Sequence, residues 1–436
     1  MSGDTTKTNN SNQFTSAKYQ GHSAPVLSLA VSEEYSCLLS GSEDHTARLW
    51  DLRDNNRRRA SLCIQTGGEV LSVAFTPKNG AVEDIPVELS SPFAKDHSIF
   101  LSVENAVLEY DLRLATSPIV NQPTRNLTPI LQNQDEVNQV ALAHHTLRSS
   151  APNKGKKKGN KKNNKRTLGE TKLYVAASDD AGTIRFMDST STNSSQVMHH
   201  DENAVVPACA FRPGANRGSL ELASGGTDCQ VSLWDAFKPK RPISSLSTST
   251  PETETGKAQV CNPPMVYSLS WSQSGNLLAA GLGDGSVSIM GIQNRSLVQT
   301  GLLPYAHDAS VASVHFPSFC RDRSERVLFS GGSDGIVLCW DLGSNIVENE
   351  AASPKSLFSP DLLKGGSKQK DATTAELVQQ TEEGLSLFDN HAKILFGIGK
   401  GEKINWMESA KDPDTLFVAD TSNDITAYTI PMLQQS

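Results

Sequence analysis

The chain has 436 residues, of which 37% are hydrophobic and 20% are charged, and its 40 basic and 48 acidic residues give a formal net charge of -8. This length suits two to four ordinary domains or one large repeat array, and the acidic balance argues against global attraction to nucleic acid or anionic membranes. The sequence has no apolar run of the ~18 to 20 residues that a membrane-spanning helix needs, and its start lacks the apolar core of a signal peptide, so we expect a soluble intracellular protein.

One hairpin pattern recurs along the chain. A short apolar strand runs into a Ser/Gly/Asp turn, and an alternating strand follows that ends in an aromatic or apolar residue and Asp. A further strand precedes each hairpin, so each unit has at least three strands. The clearest copies are SGSEDHTARLWD at 40–51, ASDDAGTIRFMD at 177–188, SGGTDCQVSLWD at 224–235 and SGGSDGIVLCWD at 330–341. With weaker copies, seven units are predicted, at 21–53, 67–113, 135–188, 200–237, 262–292, 305–342 and 402–430.

These units resemble the WD repeat family of β-propellers, most clearly in Gly21-His22 and Trp50-Asp51. The resemblance implies an all-β, seven-bladed β-propeller. It also implies that each strong blade holds a buried hydrogen-bonded set of His, Ser, Asp and Trp that fixes the hairpin turn to the sheet. The matching positions are His22, Ser40, Asp44 and Trp50 in the first unit, His200, Ser224, Asp228 and Trp234 in the fourth, and His307, Ser330, Asp334 and Trp340 in the sixth.

The last unit has no fourth strand of its own, whereas QFTSAKYQ at 13–20 has no partner in the first unit. We therefore predict that this segment closes the ring as the outer strand of the last blade, because an open array would leave exposed sheet edges. The expected domain is a single propeller over 13–430, preceded by a disordered tail at 1–12.

Seven units of ~42 residues need only about 300 residues, so the surplus is expected in insertions. Three segments have too few apolar residues to offset the cost of ordering their backbone. They are a basic insertion at 148–170 and polar insertions at 244–257 and 343–400.

Enzymatic motifs are missing from the sequence. It contains no GxSxG elbow, no GxxxxGK[ST] loop, no HExxH and no kinase-like set. Seven cysteines without a CxxC spacing indicate neither a disulfide framework nor a zinc site. Adjacent histidines at 144–145 and 199–200 point to opposite faces of a strand, which does not suit a metal site. We predict a non-enzymatic protein with no cofactor and no metal.

A basic run lies at 154–166, with eight positive charges and no acid, so that the rest of the chain carries -16 against the overall -8. Such a cluster suits recognition by nuclear import receptors, and a solvated loop is the alternative. Because no aromatic residue is interleaved for base stacking, direct nucleic-acid binding is not expected. The prediction is a protein of nucleus and cytoplasm.

Two successive units place an Arg two residues beyond the closing Asp. The first unit ends Trp50-Asp51-Leu52-Arg53 and the second ends Tyr110-Asp111-Leu112-Arg113. This pattern resembles the WDxR box of substrate receptors for cullin-4 ubiquitin ligases, in which the Arg-bearing rim docks on the adaptor, DNA damage-binding protein 1. The resemblance implies partner binding through Trp50, Asp51, Arg53, Tyr110, Asp111 and Arg113. The second copy departs from the pattern, since Tyr replaces Trp, and in other propellers such an Arg pairs only with a neighbouring acid.

The order of segments along all seven units resembles the family of WD repeat-containing protein 53. The similar runs include the Pro-Pro entry at 263–264 and KINWMES at 403–409. That family is regarded as a candidate cullin-4 receptor without a settled substrate. The resulting hypothesis is a protein-interaction scaffold that acts as such a receptor for an unknown substrate. The alternative is a scaffold subunit of a nuclear chromatin or RNA-processing complex, while a propeller enzyme would need polar residues that converge at the central channel.

Overall fold

The computed structural model describes residues 15–32, 34, 36–53, 59–77, 97–133, 135–146, 171–191, 195–201, 203–214, 219–249, 262–320, 325–343, 392–411 and 413–430. Within these residues, antiparallel strands form seven sheets, which are the blades of a β-propeller.

Blades one to three contain the first strands of the chain. Blade one comprises β2 (Val26–Ser32), β3 (Cys37–Ser42), β4 (Thr46–Asp51) and β5 (Ala60–Gln65), with β9 (Ile119–Val120) added in parallel outside β5. Blade two comprises β6 (Val70–Phe75), β7 (Ser98–Val103), β8 (Ala106–Asp111) and β10 (Arg125–Asn126). Blade three comprises β11 (Val137–Thr146), β12 (Thr171–Asp179), β13 (Thr183–Asp188) and β14 (Gln196–His199). The described helices are a 3₁₀ turn, Leu112–Leu114, and α1, Thr128–Leu131.

Blades four to seven continue the same order. Blade four comprises β15 (Ala208–Phe211), β16 (Glu221–Gly225), β17 (Gln230–Asp235) and β18 (Ser244–Ser247). Blade five comprises β19 (Val266–Trp271), β20 (Leu277–Leu282), β21 (Val287–Gln293) and β22 (Ser296–Leu303). Blade six comprises β23 (Val311–His315), β24 (Val327–Gly332), β25 (Ile336–Asp341) and β26 (Lys393–Gly399). Blade seven comprises β27 (Ile404–Ala410), β28 (Thr415–Asp420), β29 (Ile425–Thr429) and β1 (Thr15–Tyr19).

The predicted closure of the ring is confirmed. Strand β1 pairs antiparallel with β29, from Thr15 opposite Thr429 to Tyr19 opposite Ile425. The ring of Tyr19 then packs edge-on against Trp50 of blade one and Phe417 of blade seven, with centroids 5.8 and 5.9 Å apart. The N-terminal strand therefore joins the first and last blades through both its backbone and its side chains.

The innermost strands are tied to each other by side chains as well as by packing. Several of these strands shift register just before a Ser, as between Val26 and Ser28, and the Ser hydroxyl reaches the next inner strand. Ser28 Oγ accepts from Val73 N at 2.8 Å, and the same bond recurs between further pairs of blades, from Val140 N to Ser72 Oγ, Val314 N to Ser268 Oγ and Met407 N to Ser313 Oγ.

The remaining neighbouring blades are joined by other polar groups. Cys209 N donates to Gln139 Oε1 at 3.0 Å, Trp271 Nε1 donates to Ala210 O at 3.1 Å, and Asn405 Nδ2 donates to Val26 O at 3.0 Å. Every pair of adjacent blades therefore has a hydrogen bond at the central channel, because inner-strand backbone groups not used within a blade need a partner.

Two predicted insertions are too long. Residues 244–247 of the segment 244–257 form β18, and residues 393–399 of the segment 343–400 form β26. Each pairs as the fourth strand with the strand that ends in Trp-Asp, whose outer edge would otherwise be unpaired. The basic insertion 148–170, the tail at 1–12 and the remaining parts of both polar insertions lie outside the described residues, except Thr248, Ser249, Gly343, Ala392 and Lys400.

Candidate protein-interaction site

The two edges of each blade carry different groups. Strand β4 begins at Thr46, next to the hairpin turn with Asp44, and ends at Asp51 at the opposite edge of the sheet. We call the side with the turns between second and third strands the hairpin-turn face. We call the opposite side, where Asp51 and Asp111 end their strands, the arginine face.

The predicted blade-fixing residues lie together on the hairpin-turn side of blades one, four and six. In blade one, His22 Nδ1 is 2.8 Å from Asp44, His22 Nε2 is 2.8 Å from Ser40 Oγ, and Trp50 Nε1 donates to the same Oγ at 2.9 Å. The same pattern, with distances of 2.7 to 3.1 Å, joins His200, Asp228, Ser224 and Trp234 in blade four and His307, Asp334, Ser330 and Trp340 in blade six.

Electrostatics hold the Asp of each set in its charged form. Although partial burial raises the pKa of Asp44, hydrogen bonds from His22 and Thr46 lower it well below the usual range. Burial likewise raises the pKa of Asp228 and Asp334, but hydrogen bonds from His200 and His307 outweigh it, so both pKa values are lowered. Ser40, Ser224 and Ser330 are fully buried, so their hydroxyls are not accessible to a substrate. Each hydroxyl instead contacts the His and Trp rings of its blade.

Blades three and seven hold their turns with pairs that the sequence analysis missed. Asp179 accepts from Thr183 N and from Asn133 Nδ2, at 2.8 and 2.9 Å. Asp420 forms a buried ion pair with Lys400 Nζ at 2.8 Å. Both aspartates occupy the last position of their second strand. In the blades with the His set that position holds Ser42, Gly225 or Gly332, so an acid there could have indicated the difference from sequence.

The arginine face presents the two predicted guanidinium groups. Arg53 binds Asp51 with Nε at 2.9 Å and Nη2 at 2.6 Å. Arg113 binds Asp111 in the same two-pronged way, at 2.9 and 2.5 Å. The hydrogen bonds from Arg53 lower the pKa of Asp51 to about 2, and those from Arg113 also lower the pKa of Asp111.

Both arginines line one groove of about 390 Å³ between blades one and two, together with Glu34, Ser36, Cys37, Leu49, His97 and Leu112. The side chain of Arg53 is 71% exposed and that of Arg113 is 38% exposed. Leu114, one residue beyond Arg113, is 64% exposed. The groove therefore combines two oriented cations with apolar surface.

Trp50 and Tyr110 do not belong to this surface. Both rings are buried, at 0% and 3% exposure, between neighbouring blades. The prediction that these two side chains contact a partner is wrong, because a ring that fills the space between blades cannot reach the rim.

The same Asp has a basic partner in other blades, from the second-strand segment in blades three and six and from three residues beyond the Asp in blade four. Asp188 pairs with Lys172, Asp235 with Lys238 and Asp341 with Arg326, at 2.7, 3.6 and 2.9 Å. In blades one and two the Arg itself pairs with the neighbouring Asp. This pairing is the alternative that the sequence analysis gave for the WDxR pattern. It orients Arg53 without burying its side chain.

The described residues contain no group of three or more His, Cys, Asp or Glu side chains placed to hold a metal ion. Within the same residues no helix is long and apolar enough to cross a membrane. His145 of the adjacent pair 144–145 packs against Tyr174 and Phe237, and burial lowers its pKa.

Comparison with known sequences agrees with this geometry. The family described as WD domain, G-beta repeat matches residues 14–51, 192–235 and 257–289, which include the blade-fixing residues of blades one and four. The chain therefore contains WD repeats. Its fold, a seven-bladed β-propeller of WD repeats, is the one that the resemblance to the WD repeat family implies.

Similar proteins extend over different parts of this WD-repeat chain. The WD repeat-containing protein 53 homolog of Dictyostelium discoideum is 23% identical over 427 residues, which cover 95% of this chain and 94% of the relative. WD repeat-containing protein VIP3 of Arabidopsis thaliana is 27% identical over 36% of this chain and 46% of its own length. Ribosome biogenesis protein bop1 of Danio rerio is 27% identical over 29% of this chain and 16% of its own length.

Proposed function

We propose that this WD-repeat protein is a non-enzymatic scaffold that acts as a substrate receptor of a cullin-4 ubiquitin ligase. In this proposal Arg53 and Arg113 dock the adaptor, DNA damage-binding protein 1. The observation that carries it is the groove on the arginine face, which Arg53 and Arg113 of two successive blades both line.

The Asp-Arg pairs favour docking for a physical reason. A long Arg side chain loses conformational entropy when a partner immobilises it. Asp51 and Asp111 hold Arg53 and Arg113 in defined orientations before any partner arrives. A planar guanidinium can then donate further hydrogen bonds to carboxylates and carbonyls of a partner.

Apolar surface beside the charges supports the same proposal. Protein interfaces are centred on anchors that combine Arg with apolar contact and are surrounded by a polar rim. Leu114 is exposed next to Arg113, and Leu49 and Leu112 line the groove. The substrate would bind to the hairpin-turn face or to the long loops, which leaves the arginine face to the adaptor.

A pull-down of the adaptor tests this function. We expect the Arg53→Ala/Arg113→Ala double variant to recover roughly tenfold less adaptor than the unchanged chain, as interface anchors do. Arg326→Ala is the matched control, because Arg326 makes the same kind of pair with Asp341 on the same face of blade six. Equal recovery by the double variant and the control would contradict the proposal.

The alternative function is a scaffold subunit of a nuclear chromatin or RNA-processing complex. The partial similarity to a ribosome biogenesis protein favours it. Affinity purification with mass spectrometry separates the two, since only a ligase receptor should enrich the cullin-4 adaptor. Nuclear localisation, proposed from the basic run 154–166, is tested separately by deleting that run and imaging the protein in cells.

A further inference from the structure

An exposed segment runs along the outside of blade one, next to the arginine face. It leads from the 3₁₀ turn that carries Arg113 into the parallel strand β9, Ile119–Val120. The residues 116–119, with the sequence Thr-Ser-Pro-Ile, are all exposed. Ser117 directly precedes Pro118, and Ser-Pro is the sequence that proline-directed protein kinases modify.

Ser117 is more accessible than the other Ser-Pro and Thr-Pro pairs of the described residues. Thr76 is 7% exposed, and its hydroxyl donates to Ser98 O at 2.8 Å. The hydroxyl oxygen of Thr128 is buried at the start of α1. Ser117 Oγ accepts from Ile119 N at 3.3 Å, and its O–H donates to none of the described groups. The residue before a Pro is held extended, so the segment presents this hydroxyl on an extended backbone.

The register of β9 brings Ser117 close to an arginine of blade one. Strand β9 runs parallel to β5 with Ile119 opposite Cys63, and Cys63 N donates to Pro118 O at 2.8 Å. Strands lie ~4.8 Å apart and rise ~3.3 Å per residue, so the Cα atoms of Ser117 and Arg59 lie within about 10 Å of each other. Arg59 is exposed and forms no ion pair with a described residue. Its long side chain can therefore reach an anion on Ser117.

We propose that Ser117 is the phosphorylation site of a proline-directed protein kinase, and that Arg59 holds the phosphate in a position that opposes docking on the arginine face. In the transfer, Ser117 Oγ forms a bond to the γ-phosphorus of ATP. The bond from that phosphorus to the bridging oxygen breaks and leaves ADP, while a carboxylate of the kinase takes the hydroxyl proton. The product carries a charge of about −2 and three acceptor oxygens.

The phosphate opposes docking in two ways. Bound by Arg59, it adds negative charge next to the surface whose cations would receive the carboxylates and carbonyls of a partner. It also lies between Leu114 and Ile119, whose side chains are 64% and 51% exposed, and a partner that covered them would have to desolvate a charged group. This effect on the adaptor rests on the proposed function, whereas the modification and the contact with Arg59 do not.

The first test requires no adaptor. The full chain is incubated with ATP and, in turn, a mitogen-activated and a cyclin-dependent protein kinase, and is then digested with trypsin. Cleavage after Arg113 and Arg125 releases the peptide 114–125, in which Ser117 is the one residue with a hydroxyl that precedes Pro. Mass spectrometry should locate phosphate on Ser117. Thr116→Ala, which removes the neighbouring exposed hydroxyl, should retain it, and Ser117→Ala should lose it. If neither kinase modifies Ser117, the proposal is wrong.

The second test measures the contact with Arg59. Phosphoserine has a second pKa of about 6, and a guanidinium in contact lowers it by favouring the dianion. Phosphorus NMR should show the resonance that is missing in Ser117→Ala titrating at least ~0.5 pH unit lower than in the phosphorylated peptide 114–125. Arg59→Ala should return it to the value of the peptide. Lys238→Ala, which removes an exposed cation on the arginine face of blade four, should leave it unchanged. Equal midpoints in the chain and the peptide would overturn the proposal.

The third test is recovery of the adaptor by the two forms of the chain. Phosphorylation should lower recovery roughly tenfold or more, the effect of losing an interface anchor. Ser117→Ala treated with kinase should recover as much adaptor as the untreated chain. Equal recovery by both forms would overturn the opposition to docking while the ligase function stands. If the untreated chain recovers no adaptor, the proposed function fails, and the first two tests still decide the modification.

Discussion

The hydroxyl oxygen of Ser40 holds two rings at once, the imidazole of His22 and the indole of Trp50. Removal of this oxygen in Ser40→Ala leaves two buried ring nitrogens without that contact. We expect a loss of about 1–3 kcal/mol in the free energy of unfolding, the cost of an unsatisfied buried polar group. Chemical denaturation measures it, and Ser61→Ala, which removes an exposed hydroxyl on β5, should change stability by less than about 0.5 kcal/mol.

The carboxylate of Asp44 predicts a dependence of stability on pH. Its pKa in the folded protein lies below that of an unfolded Asp, near ~3.9, because His22 and Thr46 hydrogen bonds outweigh the effect of burial. The stabilisation is therefore fully present above pH ~4 and is lost as the pH falls toward the folded pKa. Asp44→Asn should be less stable at pH 7 and should lose less stability between pH ~4 and pH ~2. A parallel loss in both proteins would show that Asp44 does not contribute.

At the scale of elements, the hairpin of blade seven depends on one buried ion pair. Lys400 and Asp420 have side chains that are 10% and 2% exposed. Lys400→Met should cost about 3–5 kcal/mol, because it leaves a buried carboxylate without its counter-ion. Lys400→Met/Asp420→Leu should recover much of that loss.

The control for this pair is Lys18→Met. It breaks an exposed pair with Asp424 on the same blade, where Lys18 is 58% exposed. Exposed pairs contribute less than about 1 kcal/mol. A cost as large as that of Lys400→Met would contradict the distinction between buried and exposed pairs, and thermal unfolding of the three variants decides it.

A strand could be predicted from the sequence when its residue pattern recurs in the other units. The inner three strands of each unit alternate in polarity and end in recurrent turns, so their existence and order are predicted well. Apart from β1, the fourth strands are not predicted well, since β18 (SSLS) and β26 (KILFGIG) lie inside segments of polar composition and share no pattern. These strands form because the preceding strand has an unpaired edge. The composition of the segment itself gives no information about that edge.

At the scale of the whole molecule, β1 is a single strand on which ring closure depends. Deletion of residues 1–20 removes the partner of β29 and the ring of Tyr19 from between blades one and seven. We expect a lower Tm and concentration-dependent association through the exposed edge of β29, since such edges pair with other chains.

Deletion of residues 1–12 is the control for that prediction, because it leaves β1 intact. Light scattering and thermal unfolding compare the two truncations. If removal of 1–20 left both the Tm and the monomeric state unchanged, the role assigned to β1 would be wrong.

The sequence by itself determined the class of the protein and the identity of its repeated residues. Ser, Asp and Trp recur at fixed spacings in blades one, four and six, with a His upstream, because these blades share one local requirement, which is to hold a turn against a twisted sheet. The paired WDxR patterns were also visible, because they are contiguous along the chain.

Only the tertiary structure decided which of these residues share a surface. Closure of the ring places Arg53 beside Arg113 in one groove and buries Trp50 and Tyr110. It also brings β9, from the segment that follows β8 of blade two, to the outer edge of β5 in blade one. Such convergence depends on the angle and order in which blades pack, and no spacing within a single repeat encodes it.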